Sequence, residues 1–269
     1  MSLEEFDVAL PRHAFGPRET ARAGEVWRAL QQGAVIGSSR RGWPPARYRE
    51  VGAAFVVRTM TVRHHRETAY GELTRVRTWV SGFQREMFST RQLRLLVDGH
   101  AVTSATQRWV HVRVPDLKPA RACAELVSAF VVEEHGESVA TPEVVESLEG
   151  PAQRLNFAAW HTWMDPLAHA NHPAYVDWAD EAIARRIAAA GGNPQGVVAH
   201  AETVTFRSGV RAPEEVTVQS QLRGRDADGN AVISLTITGH DGRCCADVLV
   251  VRSLAEGGGA PLVEALSAG

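Results

Sequence analysis

Several acidic, imidazole and amide side chains lie close together in the second half of the chain. Asp165 is followed by His169, Asn171 and His172, and Pro173 then suits the first turn of a helix, where its missing N–H costs nothing. Such residues fit thioester hydrolysis, in which a carboxylate attacks directly or acts as the base that activates water. Imidazole and amide groups, with backbone N–H groups at a helix N-terminus, can orient that water or stabilise the oxyanion.

Four residues around this segment are expected to contact a substrate: Trp163, Tyr175, Trp178 and Glu181. Structural roles compete with these functional ones. Aromatic residues at helical spacing, such as Tyr175 and Trp178, are usually part of a core. Asp165 also suits a turn before a proline, and His172 also suits a helix cap. The choice between His169 and His172 as the partner of Asp165 stays open.

The first half of the chain reads as one helix followed by several strands. Helical spacing of Trp27 and Leu30 predicts a helix over Arg18–Gln32, ended by Gly33, and residues 37–49 read as a loop. Strands are predicted at Ala54–Val62, Leu73–Ser81, Phe88–Val97 and Ala101–Val114, with Asp98-Gly99 as a hairpin turn between the last two.

The second half repeats this plan at an offset of about 143 residues. A helix is predicted over Pro173–Ala190, with Tyr175, Trp178 and Ala182 towards the core. Strands are predicted at Ala201–Phe206, Val216–Leu222, Val232–Thr238 and Cys245–Val251, and Asp241-Gly242 stands where Asp98-Gly99 stood.

A long helix wrapped by a curved antiparallel sheet is the hotdog arrangement, and here it occurs twice. The predicted fold is therefore α+β, a tandem or double hotdog. We expect one hotdog at residues 1–114, an acidic, turn-rich linker at 115–151, a second hotdog at 152–255 and a flexible tail at 256–269.

The segment from Asp165 to Glu181 resembles the D-x-x-x-H-x-N-x-x-x-Y-x-x-W-x-x-E stretch of the acyl-ACP thioesterases. The first half is similar to that family at residues 56–60, 70–73, 78–81 and 109–110. The resemblance implies a double hotdog that cleaves acyl chains from acyl carrier protein. It also implies that the catalytic groups lie on the second hotdog and that the first lines the acyl pocket.

Two positions depart from the family pattern: Leu167 replaces the usual Asn, and Gly209 falls near an acidic residue of plant members. A second resemblance, to the broader 4-hydroxybenzoyl-CoA-thioesterase-like group, pairs an Asp with a His seven residues on, here Asp165 with His172. Either carrier-bound or CoA-bound thioesters therefore fit as substrates.

Bulk properties exclude several other classes. A net charge of −2 among 269 residues gives no electrostatic argument for nucleic acid or an anionic membrane. The first residues do not form a signal peptide, and no apolar run reaches about 20 residues, so we expect a cytoplasmic protein without a membrane span. The His, Cys and carboxylate spacings carry no zinc signature, and no cofactor is expected.

Partners and alternative activities follow from the same residues. Arg207, Arg211, Arg223 and Arg225 form either a docking face for an acidic carrier protein or a charged strand edge. Two other readings keep the fold: a diverged enzyme that releases, dehydrates or cyclises a carrier-bound polyketide chain, and a binding module without catalysis. A monomer and a homodimer are both compatible with the sequence.

Overall fold

The computed structural model describes residues 4–130, 132–133 and 137–267. Residues 1–3, 131, 134–136 and 268–269, which belong to the predicted first domain, linker and tail, lie outside the described residues. The first half contains helices α1 (Ala23–Arg40) and α2 (Pro45–Glu50) and strands β1 (Glu4–Asp7), β2 (Ala53–His64), β3 (Thr74–Gln84), β4 (Phe88–Val97) and β5 (His100–Arg113).

A connecting segment follows, with helix α3 (Ala124–Ala129) and the short strand β6 (Glu146–Ser147). The second half contains helices α4 (Ala174–Ala189) and α5 (Gly259–Ser267) and strands β7 (Gln153–Ala158), β8 (Val197–Phe206), β9 (Glu215–Arg225), β10 (Ala231–Thr238) and β11 (Cys244–Leu254). Every predicted strand overlaps an observed one.

All eleven strands form one antiparallel sheet. Its order is β1-β3-β4-β5-β2-β8-β11-β10-β9-β6, and β7 also pairs with β9. Strands β2 and β8 join the two halves, with Thr61 directly opposite Thr203. These two threonines lie 142 residues apart, within one residue of the predicted repeat offset, so the halves are related by an approximate twofold axis between them.

Helix α1 packs its buried face against the sheet of the first half. Trp27 and Leu30 are fully buried, as their spacing predicted. The predicted helix limits were wrong: α1 begins at Ala23 and continues through Gly33 to Arg40. Gly33 does not end the helix because it lies against Val76, where a Cβ would come within 2.3 Å of that side chain. Close contact between helix and sheet therefore explains this glycine.

Helix α4 matches its prediction to within one residue at each end. Tyr175, Trp178 and Ala182 are buried, which confirms the predicted core face. Trp178 belongs to a group of aromatic rings with Phe157 and Trp163, whose ring centres lie 5.3 and 5.4 Å from its own. Because β7 carries Phe157, this short strand holds the segment before α4 against the core.

Part of the segment predicted as a linker packs into an apolar cluster that it shares with the first half. Leu126 and Phe130 of the α3 region are buried with Trp43 and Val80 in a second apolar cluster. The prediction of a flexible tail is also wrong, because α5 buries Leu262, Val263 and Leu266. Both errors have one cause. The helices α3 and α5 are short and have weak sequence signals, and they are ordered because their apolar residues pack against residues elsewhere in the chain.

A buried network of charges connects the two halves. The carboxylate of Glu202, which is fully buried, accepts hydrogen bonds from Trp27 Nε1 at 3.1 Å and Arg252 Nη1 at 2.6 Å. His64 Nε2 lies 2.9 Å from the same carboxylate, and Arg252 Nε also donates to Asp180 at 2.9 Å. Helices α1 and α4 and strands β2, β8 and β11 each supply one of these residues.

Candidate active site

A cleft of about 1090 Å³ opens between the two halves in front of α4. Asp165, His169, His172 and Tyr175 all line it, so the structure brings four of the predicted site residues to one wall. The opposite wall comes from β2 and β5 of the first half, including Phe55. The repeat of the fold thus places the polar motif of one half against the apolar sheet of the other.

Asp165 opens a tight turn before α4. Its Oδ1 atom accepts the N–H of Leu167 at 2.8 Å and, less closely, that of His169 at 3.4 Å. Ala168, whose φ is +58°, closes the turn with an N–H donated to the Asp165 carbonyl. Among the described residues none donates to Oδ2. One oxygen of this half-buried carboxylate therefore shapes the turn, and the other is free for chemistry in the cleft.

His169 lies beside a cation. Arg211 Nη2 is 3.1 Å from His169 Nε2, and since a guanidinium only donates, Nε2 accepts and the ring proton is assigned to Nδ1. Burial lowers the pKa of His169, and Arg211 and Arg243 lower it further, against the opposing effect of Asp165. His169 is thus a neutral imidazole at neutral pH.

Gly209 explains how closely the imidazole of His169 is packed. A Cβ on Gly209 would lie 2.3 Å from Cδ2 of His169, so no side chain fits there while the ring keeps its place. The missing acidic residue near this position is therefore a consequence of packing. A carboxylate, Glu214, reaches the cleft from five residues further along the same loop.

Glu214 is anchored and was not predicted. Both of its oxygens accept hydrogen bonds from Arg243 Nη2 at 2.7 Å, and Oε1 also accepts the N–H of Arg211 at 2.5 Å. Burial raises the pKa of Glu214, but the Arg211 N–H and the Arg243 guanidinium outweigh it and hold that pKa below its ordinary value. Glu214 fixes the loop that carries Arg211 beside His169.

His172 lies deeper in the wall than His169. Its ring is packed between those of Trp27 and Phe206, with centres 6.1 and 6.0 Å away. Nε2 is buried and has no hydrogen-bond partner among the described residues. Burial, aided by Arg28, lowers the pKa of His172 to about 3, so the ring is neutral.

Asn171 and Tyr175 hold the site in place. The amide of Asn171 forms two hydrogen bonds with that of Gln31 on α1, at 2.8 and 3.1 Å. Tyr175 is buried, and its hydroxyl accepts the N–H of Val210 at 3.1 Å. Burial raises the pKa of Tyr175, so its hydroxyl stays protonated. Asn171 thus joins the site to the first half, while Tyr175 fixes the loop containing Gly209.

Three of the predicted substrate contacts lie outside the cleft lining. Trp163 stacks on Trp160 with ring centres 4.8 Å apart, and Trp178 packs in the aromatic group behind it. Glu181 is exposed on α4, where it pairs with Arg185 at 2.7 Å. These positions indicate support of the α4 start by the tryptophans and a surface ion pair for Glu181.

The backbone donors expected at the helix N-terminus are mostly occupied. The N–H groups of the first four helical residues, 174–177, donate to carbonyls of residues 171–173 at 2.9–3.3 Å. The N–H of His172, one position before Pro173, has no acceptor among the described residues. This single N–H at the positive end of α4 is the one suited to an oxyanion.

A second, apolar cavity of about 330 Å³ continues from the cleft into the first half. Five residues line both spaces: Gln31, Phe55, Trp109, Asp165 and Leu167. Beyond them the cavity runs between α1, α2 and the sheet, with walls that include Trp43, Phe83 and Phe130. The carboxylate of Asp165 therefore lies where a polar cleft meets an apolar chamber.

Comparison with known proteins agrees with this geometry. Residues 167–224 match the family model of the thioesterase superfamily. The matched stretch of the second half, from the Asp165 turn to β9, is thus similar to thioesterases of this superfamily. The prediction of a thioesterase is confirmed at this level, and a search of curated protein sequences finds no significant match.

Solved structures with the same fold cover this chain almost completely. A provisionally assigned oleoyl thioesterase from Lactobacillus plantarum is 16% identical, with a TM-score of 0.80 over 94% of this chain and 96% of its own. An acyl-ACP thioesterase from Bacteroides thetaiotaomicron is 15% identical, with a TM-score of 0.73 over 94% and 100%. A 12:0-ACP thioesterase from Umbellularia californica is 13% identical, with a TM-score of 0.71 over 94% and 97%. The predicted α+β double hotdog is confirmed.

The first half of the chain keeps the backbone of the Asp165 turn without its chemically active side chains. In residues 16–20 the N–H of the first residue donates to the carbonyl of the fifth at 3.0 Å, as it does at 2.7 Å in residues 165–169. The fourth residues, Glu19 and Ala168, have φ values of +57° and +58°. The two turns are therefore structural equivalents.

The side chains of the two turns differ. Gly16 stands where the second half has Asp165, and Thr20 stands where it has His169. The residues that could cleave a thioester are thus present at one of the two related positions. No described helix is long and apolar enough to span a membrane, and no group of metal ligands occurs among the described residues.

Proposed function

We propose that this thioesterase hydrolyses acyl chains from acyl carrier protein and releases the free acid. The observation that carries the proposal is the position of Asp165 at the junction of the cleft and the apolar chamber. An acyl chain in the chamber and a pantetheine arm in the cleft would bring the thioester carbonyl to this carboxylate. Two structural neighbours are described as acyl-ACP thioesterases, which supports the same substrate class.

In the proposed mechanism, Asp165 acts as the general base. Its free oxygen takes a proton from water, the water oxygen attacks the thioester carbon, and the proton then passes to the leaving sulfur as the C–S bond breaks. His169 Nδ1–H donates to the attacking water and orients it. The N–H of His172 donates to the carbonyl oxygen as negative charge develops there.

The neutral state of His169 matters for this role. A protonated imidazole beside Asp165 would form an ion pair with the carboxylate and weaken it as a base. Arg211 prevents this by donating to Nε2 and by lowering the pKa of His169. Arg211 and Glu214 are therefore proposed as positioning residues that act through His169.

The charge of the cleft supports a partner with an anionic arm. Arg58 and Arg211 line the cleft, and neither forms an ion pair with a carboxylate among the described residues. Arg207 and Arg243 line it too, but they pair with Asp247 and Glu214. Phosphopantetheine carries a phosphate, and carrier proteins are acidic, so free guanidinium groups fit both. Arg223 and Arg225 lie on β9 outside the cleft lining, so the predicted arginine face is divided.

The test is thiol release from a panel of acyl-ACP and acyl-CoA thioesters by the wild type and by Asp165→Asn. Asparagine keeps an oxygen for the Leu167 N–H, so the turn should persist, while loss of the base should lower kcat by about 10²–10⁴-fold. Asp228→Asn, an exposed carboxylate in the β9–β10 turn, is the matched control and should keep wild-type rates.

Other results would favour the alternatives. Wild-type rates in Asp165→Asn would show that the base is wrongly assigned. Loss of water from a 3-hydroxyacyl thioester without thiol release would indicate a dehydratase. Tight binding of acyl-ACP without turnover would indicate a binding module, and faster turnover of acyl-CoA would correct the carrier.

A further inference from the structure

A buried arginine lines the apolar chamber. Arg91 on β4 is only 7% exposed, and it lines the chamber but not the cleft. Burial lowers the pKa of Arg91 to about 10, so its guanidinium is still positively charged at neutral pH. A buried charge without a counter-charge is costly, and such a residue needs a specific reason in an otherwise apolar wall.

The described residues satisfy only part of this guanidinium. Nη1 donates to Thr78 Oγ1 at 3.2 Å and Nη2 donates to Ser38 Oγ at 3.1 Å, whereas an arginine has five N–H donors. No carboxylate among the described residues forms an ion pair with it. Glu133, on the wall of a small cavity beside Arg91, pairs with Arg41 at 3.6 Å. The guanidinium carbon also lies 5.6 Å from the ring centre of Phe130, so its charge has an aromatic neighbour and its remaining N–H donors are open to a ligand.

The neighbours of Arg91 make this part of the chamber polar. The hydroxyl of Tyr48 lies close to Ser38, and burial raises the pKa of Tyr48 to about 12, so the hydroxyl stays protonated and can donate. Ser38 and Tyr48 both line the chamber. Three groups of different elements, on α1, α2 and β4, therefore converge at one place in a wall whose other residues are mostly aromatic and aliphatic.

This polar group lies far from the reacting carbon. Gln31 lines both the cleft and the chamber, while Ser38, seven residues further along α1, lines only the chamber. Seven helical residues advance about 10 Å. An extended chain advances about 3.4 Å for every three single bonds, so about nine bonds separate the thioester carbonyl from this end.

We propose that Arg91, with Ser38 and Tyr48, binds an oxygen at the distal end of the acyl chain, so that the substrate is an ω-oxygenated acyl thioester. The two oxygens of a carboxylate can accept hydrogen bonds from all three side chains and supply the missing negative charge, whereas a hydroxyl or keto oxygen can accept from two of them. A terminal methyl group would leave the remaining N–H donors of Arg91 without an acceptor. The inference rests on the proposed hydrolase function and specifies its substrate class.

The experiment compares three pantetheine thioesters of matched length: an unsubstituted chain, its ω-hydroxy form and its ω-carboxy form. A length of about ten carbons follows from the distance along α1. For the wild type we expect kcat/KM to be at least about tenfold higher for an oxygenated chain, the value of one charged hydrogen bond. In Arg91→Met this ratio should fall to one or below, with hydrolysis of the unsubstituted chain retained.

Controls separate recognition from folding. Arg94→Met changes an arginine on the same strand that lies outside the chamber, and it should keep the wild-type ratio. Tyr48→Phe removes one hydroxyl without removing volume and should lower the ratio several-fold, which tests the proposal even if Arg91→Met fails to fold. Thermal unfolding of each variant reports its stability.

The outcomes distinguish this inference from the function on which it rests. A wild type that hydrolyses all three chains equally, or prefers the unsubstituted one, would overturn the ω-oxygen proposal and leave the hydrolase intact. A wild type that releases thiol from no thioester would overturn both. Equal losses for all three chains in Arg91→Met and Tyr48→Phe would show a structural role only.

Discussion

The imidazole of His169 is held between a cation and a carboxylate, and this arrangement decides its charge. Arg211 occupies Nε2, Gly209 leaves no space for the ring to turn away, and Asp165 lies at the start of the same turn. Two of these contacts come from the loop after β8, which Glu214 and Arg243 hold in place. A few polar contacts thus keep His169 neutral beside the carboxyl group of Asp165.

The pH dependence of catalysis should report this environment. Burial and Arg211 lower the pKa of His169 from its ordinary value of 6.5, so kcat/KM for the wild type should rise with pH below 6.5 and be level above it. Removing Arg211 removes a cation and a hydrogen-bond donor to Nε2, which favours the protonated ring. In Arg211→Met the acidic limb should therefore move to higher pH, as a pH–rate profile would show.

Arg185→Met, which changes an exposed arginine of α4, is the control and should leave the limb in place. An Arg211→Met profile that coincides with the wild type would contradict the assigned contact between Arg211 and His169.

The sequence predicted individual cleft residues only where those residues lie close together in the chain. Asp165, His169 and His172 could be predicted because one turn carries them all to the cleft. Arg211 and Glu214 follow more than forty residues later, on a loop whose place depends on the register of β8 and β11. No local pattern marks such residues, because only strand pairing makes them neighbours.

Among the elements, α5 shows how a weak sequence signal becomes ordered structure. Leu262, Val263 and Leu266 are buried against the second half, and the carbonyl of Leu266 accepts a hydrogen bond from Arg186 Nη2 at 2.5 Å. Arg186 is itself buried on α4. The C-terminal helix therefore both covers apolar surface and accepts a hydrogen bond from a buried guanidinium.

Leu262→Ala should lower the free energy of unfolding by about 2–5 kcal/mol, because it deletes a fully buried side chain. Glu264→Ala, on the exposed face of the same helix, should change it by less than about 0.5 kcal/mol. Denaturant unfolding of both variants checks this. Equal stability of Leu262→Ala and the wild type would mean that α5 does not hold this position in solution.

The limits of α1 show why element boundaries were harder to predict than element types. Gly33 is a normal signal for a helix end, yet here a neighbouring strand residue, Val76, selects glycine in mid-helix. The long periodic pattern of α4 lacks such a conflict, and its prediction was accurate. Tertiary contacts that oppose local preference cannot be read from one segment alone.

In the molecule as a whole, the buried network around Glu202 connects the two hotdogs. Burial would raise the pKa of Glu202, but His64, Arg252 and the Trp27 N–H together lower it to about 2. A carboxyl group whose folded pKa lies below its unfolded value stabilises the fold above the unfolded pKa, near 4.3. That stabilisation is lost as the pH falls from about 4.3 towards 2.

Glu202→Gln should therefore lower the free energy of unfolding at neutral pH by about 3–5 kcal/mol, because Arg252 loses a buried partner. The difference from the wild type should shrink between about pH 4.3 and 2. Burial raises the pKa of Asp180, so that group destabilises the fold as the pH rises. Because Asp180 is present in both the wild type and Glu202→Gln, it does not account for the difference between them. Glu256→Gln is an exposed control, and a difference that does not change with pH would contradict the role given to Glu202.

Gly16, which occupies the turn equivalent to that of Asp165, has a consequence for how such a chain can change over time. In the proposed mechanism each chain cleaves one thioester with Asp165. The first half, where Gly16 replaces that carboxylate, does not take part in the reaction, so its residues can change without loss of the reacting groups. That half supplies most of the chamber, so substitutions on α1 and β4 can alter which chain is accepted while the reacting groups stay in place. Under the proposed function, selectivity and turnover are therefore encoded in separate halves of one chain and can be engineered independently.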